Sequence, residues 1–191
     1  MFSYFEKGIT NLIPSKTIDL GQLVKLIKTN PKQSLVNEIR ELRLKGDQTY
    51  KKKKTFLNYI TPNCSVKKRS LKKEEDYTKN FIAPSSYIYF DFDDVVNVQE
   101  FKEYFISKYG HLVSLVCLSS GAGGISVLFK ITNIIDNNNF YDIWEIIKTT
   151  YLKEEQVDIK CKNIGRAMYL PYDTEPFVNY ENEITVDIPL S

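Results

Sequence analysis

The second half of the chain predicts an α+β fold, because short strand-like runs alternate there with helix-like segments. Runs of aromatic and β-branched residues, bounded by Pro, Ser and Gly, are typical of buried strands. Between and after them, apolar residues recur at helical spacing in two segments. Taken in order between residues 87 and 159, the elements form a β-α-β-β-α-β sequence. This order is the split-βαβ arrangement of ferredoxin-like and RRM-like folds.

Each element of this unit is supported by its own residues. Pro84-Ser85-Ser86 precede the first strand, Gly110 closes the first helix, and a glycine-rich loop separates the second and third strands. Trp144 lies on the apolar face of the second helix, which predicts a core position rather than a base-stacking platform. The predicted strands lie at residues 87–90, 112–118, 125–131 and 157–159, the helices at 98–109 and 140–151, and a further strand at 167–170.

The first part of the chain predicts a mostly helical segment that begins with a short strand at residues 2–5. Thr17 is a candidate N-cap for the first helix, Pro31 suits the first turn of the second, and Asp47 can cap the third. The predicted helices cover residues 18–29, residues 31–45 and a segment from residue 47 to Tyr59.

Length and composition describe one domain without a membrane span. The 191 residues are 42% hydrophobic and 26% charged, which is ordinary for a globular protein. No apolar run approaches the length of a membrane helix, and the N-terminus lacks the pattern of a secretory signal. We therefore expect one compact domain, in which residues 1–80 pack on a core formed by residues 81–191.

The cysteine content argues against disulfides and against zinc. Cys64, Cys117 and Cys161 are far apart and odd in number, so a disulfide framework is not expected. Free thiols are typical of a reducing compartment, and we expect a cytoplasmic protein with no membrane partner. With no CxxC pair and a single histidine, His111, the chain is a poor candidate for a structural zinc site. His111 is expected at a helix-to-strand junction, without a catalytic role.

Charge is distributed unevenly along the chain. Residues 1–80 carry 18 Lys and Arg against 8 Asp and Glu, whereas residues 81–191 carry 8 against 16. From Lys51 to Lys73 there are nine basic residues and no acidic one, with aromatic residues interleaved. This mixture favours a phosphate backbone with exposed bases as the partner, although a solvated loop would show the same pattern. The candidate nucleic-acid-binding residues are Lys51, Lys52, Lys53, Lys54, Lys67, Lys68 and Arg69.

Three carboxylates end the segment YIYFDFDD. Because alternate side chains of a strand share a face, Asp91 and Asp93 point the same way while Phe92 points into the core. Two carboxylates that project together repel each other unless a cation lies between them, and Mg²⁺ or Mn²⁺ prefers oxygen ligands. The competing interpretation is a turn in which an acid caps the following helix, and we assign that role to Asp94. We therefore predict that Asp91 and Asp93 are metal ligands.

Two further segments can meet these carboxylates on one face of the sheet. The segment SSGAGG, residues 119–124, is predicted as a hairpin turn whose backbone N–H groups can cradle phosphates, although it is not a Walker A loop. Asp158 is a lone acid between two apolar residues. A third carboxylate there would complete a site for two metal ions, as in polymerases and nucleases. Each feature is commonplace alone, and together they favour such a site.

In combination these segments resemble the archaeo-eukaryotic primase superfamily. The resemblance rests on a DxD strand, a strand–SGxG–strand hairpin and a lone Asp before a short segment that contains an Arg. Within the superfamily the chain is most similar to the VirE N-terminal type of primase-polymerase domain, found in replication proteins of mobile elements. The match is widest between residues 51 and 179 and includes KKTFLNYITPNCSV, YIYFDFDD, LSSGAGGISVLF and VDIKCKNIGRAMYLPYD, of which the last is the most specific.

The resemblance implies a template-directed nucleotidyltransferase, in which a primer 3′-hydroxyl attacks the α-phosphate of a nucleoside triphosphate. Single-stranded or primed DNA would be the template, and two Mg²⁺ or Mn²⁺ ions would be bound by Asp91, Asp93 and Asp158. Arg166 would hold the charge of the triphosphate, with Lys160 a weaker candidate for the same task. The implied nucleotide-binding residues are Ser119, Ser120, Gly121, Gly123, Lys160 and Arg166.

Two departures from the family pattern bear on this function. Many primase-polymerases carry a histidine on the strand after the glycine-rich loop, whereas this chain has Ile125 and Ser126 there. The VirE-type relatives also tend to lack that histidine. Members usually continue into a helicase or a helical primase domain, so we expect a fragment or a stand-alone module, with a helicase as a candidate partner.

A second hypothesis comes from another functional class. It is a catalytically weak single-stranded nucleic-acid-binding replication domain that keeps the primase fold. The missing histidine favours this hypothesis, whereas the intact Asp91, Asp93 and Asp158 oppose it. A rolling-circle nuclease of similar topology would need a pair of metal-binding histidines, and a single histidine argues against it.

Overall fold

The computed structural model describes residues 1–69, 79–133, 135–136 and 139–188. In this part of the chain, five α-helices and ten short strands form a mixed α+β fold whose paired strands are all antiparallel. The predicted α+β class is therefore confirmed. None of the described helices combines the length and the apolar character that a membrane crossing requires.

The strands and helices predicted between residues 87 and 151 are present with ends that shift by a few residues, whereas β2, β5 and β10 were not predicted. The first part of the chain contains β1 (Phe2–Phe5), β2 (Lys16–Ile18), α1 (Leu20–Lys28), α2 (Gln33–Leu44), α3 (Thr49–Lys54), β3 (Tyr59–Thr61) and β4 (Cys64–Val66). The second part contains β5 (Phe81–Pro84), β6 (Tyr87–Phe92), α4 (Val98–Tyr109), β7 (Leu115–Leu118), β8 (Ile125–Lys130), α5 (Phe140–Thr150), a 3-10 helix (Ile159–Cys161), β9 (Met168–Tyr169) and β10 (Phe177–Val178).

One four-stranded sheet has the strand order β10-β7-β8-β6. Because β8 pairs antiparallel with both β7 and β6, the two strands that α4 connects are parallel to each other and are separated by β8. A βαβ unit with a strand inserted in this way is a split βαβ unit. The register of β6 and β8 places Asp91 opposite Ser126 and Phe92 opposite Ile125.

The other four-stranded sheet, β2-β1-β3-β9, joins the beginning of the chain to its end. Strand β9 pairs with β3 through Tyr59 opposite Tyr169. One hydrophobic core runs through both sheets and includes the fully buried Phe2, Phe90 and Trp144. The Trp144 indole stacks on the Phe90 ring at a centroid distance of 5.0 Å, as expected for a core residue. Both parts of the predicted division at residue 80 thus contribute to one core.

The segment around Asp158 forms a 3-10 helix, and the predicted strand at residues 157–159 is wrong. Asp158 is the N-cap of this helix, and its Oδ1 accepts a hydrogen bond from Lys160 N at 3.0 Å. A local bond of this kind competes with strand pairing and is typical of Asp in turns. A backbone hydrogen bond from Asp158 N to Asp91 O, at 2.9 Å, ties the segment to the edge of β6.

Three helix caps differ from the prediction. Helix α3 has Gln48 and not Asp47 as its N-cap. Helix α1 is capped by Asp19, which forms a capping box with Gln22, because Thr17 is part of β2. Helix α4 is capped by Asn97 and not by Asp94. Asp94 instead adopts a left-handed backbone conformation with a φ of 57°, three residues before the cap.

Helix α3 is shorter than predicted. It ends at Lys54 instead of continuing to Tyr59, because Tyr59 begins β3 and pairs with strands on both sides. Burial in a sheet therefore outweighs helix propensity at this point. The prediction of basic residues up to Lys73 falls partly on residues 70–78, which lie outside the described residues.

The single histidine lies at the predicted helix-to-strand junction, and the cysteines are part of the core. Cys64, Cys117 and Cys161 are free and buried. Burial raises the pKa of Cys64 to about 12 and also raises the pKa values of Cys117 and Cys161. His111 lies in the turn between α4 and β7.

A buried ion pair fixes α4 to the segment that follows β9. Lys102 Nζ contacts Asp173 Oδ2 at 2.7 Å, and both side chains are at most 5% exposed. Asp173 also accepts a hydrogen bond from Leu118 N at 2.8 Å, and Lys102 donates to Glu175 O at 2.7 Å. The pair therefore links α4 to the end of β7, immediately before the glycine-rich loop.

We expect Lys102→Met to lower the free energy of unfolding by about 3–5 kcal/mol, because it leaves the buried Asp173 carboxylate without a cation. The matched control is Lys53→Met on α3, whose ion pair with Glu38 is exposed to solvent. Urea unfolding at neutral pH measures both variants. An equal loss in the two variants would contradict a special role for the buried pair.

Candidate active site

A cavity of about 190 Å³ lies where the two four-stranded sheets meet the end of β6. Asp91 and Asp93 line it, and we call this pair the acidic wall. Three cationic side chains, Lys54, Arg69 and Arg166, also line it, and we call them the basic wall. Other lining residues include Tyr89, Ser119, Ser120, Ser126 and Tyr169.

The acidic wall is built by the pairing of β6 with β8. As strand alternation predicts, Asp91 and Asp93 reach the same cavity while Phe92 is 1% exposed in the core. Ser126, opposite Asp91 in the register, donates its hydroxyl to Asp91 Oδ1 at 2.9 Å. Burial, followed by the neighbouring charge of Asp93, raises the pKa of Asp91 to about 6. The pair therefore holds unfavourable negative charge that a cation would stabilise.

The backbone of Asp158 is hydrogen-bonded to Asp91, whereas the Asp158 carboxylate has other partners. Arg166 Nη2 contacts Asp158 Oδ2 at 2.9 Å, and Lys160 N donates to the other carboxylate oxygen. In the described parts of the chain, no group of three or more His, Cys, Asp or Glu residues is placed to hold a metal ion. Asp91 and Asp93 remain as the carboxylates at the cavity that could supply oxygen ligands to a hard cation, whereas the Asp158 carboxylate is paired with Arg166.

The basic wall comes from three separate segments. Lys54 ends α3 and lies 5.7 Å from the centre of the Tyr169 ring. The Arg69 guanidinium lies 5.3 Å from the centre of the Tyr59 ring, and its Nε donates to a backbone carbonyl at 3.3 Å. Arg166 is held by Asp158. Aromatic faces and one carboxylate thus orient three cations around the cavity.

Several polar atoms around the cavity are buried without a partner among the described residues. They are Arg69 Nη1, Arg166 Nε and Ser119 Oγ, and the Ser119 residue is only 5% exposed. Buried donors are normally hydrogen-bonded, so these atoms are exceptions within the described residues. Two of them belong to arginines, whose planar guanidinium matches carboxylate and phosphate oxygens.

The glycine-rich loop at residues 119–124 connects β7 to β8 as the predicted hairpin turn. Two of its glycines have a neighbouring residue in the space that a Cβ would take. A Cβ at Gly123 would overlap the guanidinium of Arg43, which reaches across from α2. A Cβ at Gly124 would overlap the backbone carbonyl of Phe92 at the end of β6. The loop is therefore packed directly against the acidic strand, with Ser119 and Ser120 facing the cavity.

The predicted nucleic-acid-binding residues differ in their surroundings. Lys54 and Arg69 line the cavity, which sequence reasoning had assigned to the nucleotide alone. Lys53 contacts Glu38 at 2.8 Å. The residues that remain exposed on the surface are Lys51, Lys52, Lys67 and Lys68. The side chain of Lys160 is also exposed and does not line the described cavity.

Sequence reasoning missed the arginines of α2. Arg40 Nη2 donates to Tyr172 O at 2.6 Å and to Ser119 O at 3.4 Å. Arg43 contacts Asp94 Oδ1 at 2.9 Å above the glycine-rich loop. A positively charged residue on a helix surface has no distinguishing pattern, and only the docking of α2 reveals these contacts.

The chain was compared with protein-family models, with curated proteins and with solved structures, and none of the three comparisons finds a match.

The raised pKa of Asp91 predicts that the stability difference between the wild type and Asp91→Asn depends on pH. With a pKa of about 6 against 3.8, the folded state binds the Asp91 proton more tightly, so this favourable contribution is lost as pH rises through about 6. In metal-free buffer, Asp91→Asn should therefore gain stability relative to the wild type between pH 4 and pH 7.

Urea unfolding at several pH values measures this difference, with Asp142→Asn on the exposed face of α5 as the control variant. A difference between wild type and Asp91→Asn that does not change with pH would contradict the assignment. Mg²⁺ should stabilise the wild type more at high pH, where the Asp91 carboxylate is charged.

Proposed function

We propose that this chain is a metal-dependent nucleotidyltransferase domain of the primase-polymerase type, which adds nucleotides to a DNA strand on a template. The single observation that supports the proposal is that two carboxylates and three cationic side chains line one cavity. A nucleoside triphosphate with its divalent cation needs both kinds of surface, because carboxylates bind the cation and Lys and Arg bind the phosphate oxygens.

The chain's own residues have distinct tasks in this proposal. Asp91 and Asp93 would hold Mg²⁺ or Mn²⁺, which neutralises charge that develops on the phosphate oxygens. Arg69 and Arg166, which line the cavity, would bind phosphates through their guanidinium groups, and Lys54 would add a point charge beside them. Asp158 would act as a positioning residue, because it holds the Arg166 guanidinium at the cavity.

The split-βαβ unit of the fold is compatible with this proposal. The order β6-α4-β7-β8-α5 gives the split-βαβ sheet expected of an RRM-like primase core, and the acids lie at the end of its first strand. The fourth strand of that unit is replaced by the 3-10 helix after Asp158. The three free, buried cysteines suit the reducing cytoplasm that we propose as the location.

A second candidate function is supported by the geometry of Asp158. Its carboxylate is paired with Arg166, and the described residues contain no group of three acids placed around a metal. This arrangement favours a nucleotide- and single-strand-binding domain of the same fold with weak or no catalysis. The two candidates differ in whether nucleotide is incorporated, not in whether it is bound.

Incorporation of nucleotide on a primed single-stranded template, with Mg²⁺ or Mn²⁺, tests the proposal. We expect the double change Asp91→Asn with Asp93→Asn to abolish incorporation, because it removes the cation's carboxylates. Asp158→Asn should reduce incorporation by about 10-fold or more, because Arg166 loses the charged hydrogen bond that positions it. Asp142→Asn serves as the control carboxylate on α5.

Two outcomes separate the candidate functions. Nucleotide and DNA binding without incorporation in the wild type would favour the binding domain. Incorporation that persists in the Asp91→Asn, Asp93→Asn variant would show that the acidic wall is not the metal site. Either ribo- or deoxynucleoside triphosphates can serve, and both should be measured.

The exposed lysines predict a salt-dependent DNA affinity. We expect Lys51→Ala with Lys52→Ala to weaken binding of single-stranded DNA and to reduce its salt slope by about 0.7 per lysine removed. Lys53→Ala is the matched control, since its ammonium already contacts Glu38 and should release fewer counterions. Fluorescence anisotropy of a labelled oligonucleotide at several salt concentrations measures both, and an unchanged slope in the double variant would contradict the prediction.

A further inference from the structure

Arg43 occupies an unusual position for a surface residue of α2. Its guanidinium lies against the glycine-rich loop. It occupies the space that a Cβ on Gly123 would take. Arg43 Nη1 is 3.3 Å from the position that a Cβ on Gly121 would take, and Lys54 Nζ is 4.0 Å from that same position. Two cationic groups therefore meet over one glycine, and one of them, Lys54, lines the cavity.

The partner of Arg43 in this arrangement is weakly bound. The ion pair with Asp94 has a distance of 2.9 Å, but the Asp94 side chain is 92% exposed. Exposed ion pairs contribute little because water and salt screen them. Asp94 also adopts a φ of 57° in the loop after β6, so this carboxylate is presented by a turn and not by a sheet or a helix. A phosphate group, with more charge and three acceptor oxygens, can replace it.

The helix that carries Arg43 is anchored independently of that ion pair. One turn earlier, Arg40 donates to Tyr172 O at 2.6 Å and to Ser119 O at 3.4 Å. Arg40 is thus a structural link between α2 and the start of the glycine-rich loop. Because of this link, Arg43 can exchange its partner without a movement of α2.

From these contacts we infer that Arg43 binds the terminal phosphates of a nucleoside triphosphate, exchanging Asp94 for the ligand. The inference rests on the proposed function and adds a residue to it. A triphosphate whose inner phosphate lies between the acidic and basic walls would extend along the loop past Lys54 to Arg43. Arg43 would therefore distinguish triphosphates from monophosphates, and Asp94 would compete with the nucleotide.

Binding of ATP, ADP and AMP in the presence of Mg²⁺, measured by calorimetry, tests this inference. We expect Arg43→Gln to weaken ATP binding by about 10-fold or more, the usual effect of losing a charged hydrogen bond, and to leave AMP binding unchanged. Asp94→Asn should strengthen ATP binding, since it removes the competing carboxylate. Lys45→Gln, an exposed residue at the end of the same helix, is the control for lost charge.

A second variant separates position from charge. Gly123→Ala keeps Arg43 but displaces its guanidinium from the loop, and it should therefore lower ATP affinity like Arg43→Gln. Thermal unfolding of each variant, without nucleotide, checks that the fold is retained. A purely structural role of Arg43 would change the melting temperature and would affect ATP and AMP equally.

The outcomes distinguish this inference from the proposed function. If the wild type binds ATP and the ratio of ATP to AMP affinity is the same in Arg43→Gln and Asp94→Asn, the role of Arg43 is wrong while the proposed function stands. If the wild type binds no nucleoside triphosphate with Mg²⁺ or Mn²⁺, both are wrong. A lower ratio in Arg43→Gln together with a higher one in Asp94→Asn supports the inference.

Discussion

The pairing of β6 with β8 is the constraint on which the rest of the site depends. It sets Asp91 opposite Ser126, so that a serine hydroxyl supports the carboxylate. At the end of the same ladder, Gly124 packs on the carbonyl of Phe92, which brings the glycine-rich loop against the acidic strand. A shift of one residue in this register would turn both acids toward the core and Phe92 toward the cavity. The acids, the serine and the loop therefore form one unit.

The three cationic residues of the cavity come from other segments of the chain, and their position depends on a different pair of strands. Lys54 precedes β3, Arg69 follows β4, and Arg166 precedes β9. The pairing of β3 with β9 brings the first and last of these segments together, although they are more than a hundred residues apart in sequence. One continuous core connects the two four-stranded sheets, so that carboxylates and cations line the same cavity. Among the three cationic residues, Arg166 contacts a carboxylate directly, that of Asp158.

Features that depend on local periodicity were predictable, and those that depend on tertiary docking were not. Strand alternation correctly placed Asp91 and Asp93 on one face, and the glycine-rich turn was identified as a hairpin. The sequence could not separate Lys54 from Lys51 and Lys52, because the end of α3 is set by sheet pairing. Asp158 was misplaced because its side chain bonds to its own backbone neighbour, which no hydrophobic pattern reveals. The division of the described strands into two four-stranded sheets and the two-stranded sheet β4-β5 was likewise not predictable, since it follows from contacts between distant segments.

The reactivity of the three buried cysteines can be used to measure local opening of the structure. Each thiol belongs to a different element, namely β4, β7 and the 3-10 helix that follows Asp158. All three are shielded from solvent and have raised pKa values, so a thiol reagent modifies them only when the surrounding element opens. Cysteines introduced on the surface for spectroscopic labels would consequently react first, without removal of the native ones. The modification rate of Cys161 would follow the opening of the segment that carries Asp158, separately from the two sheets.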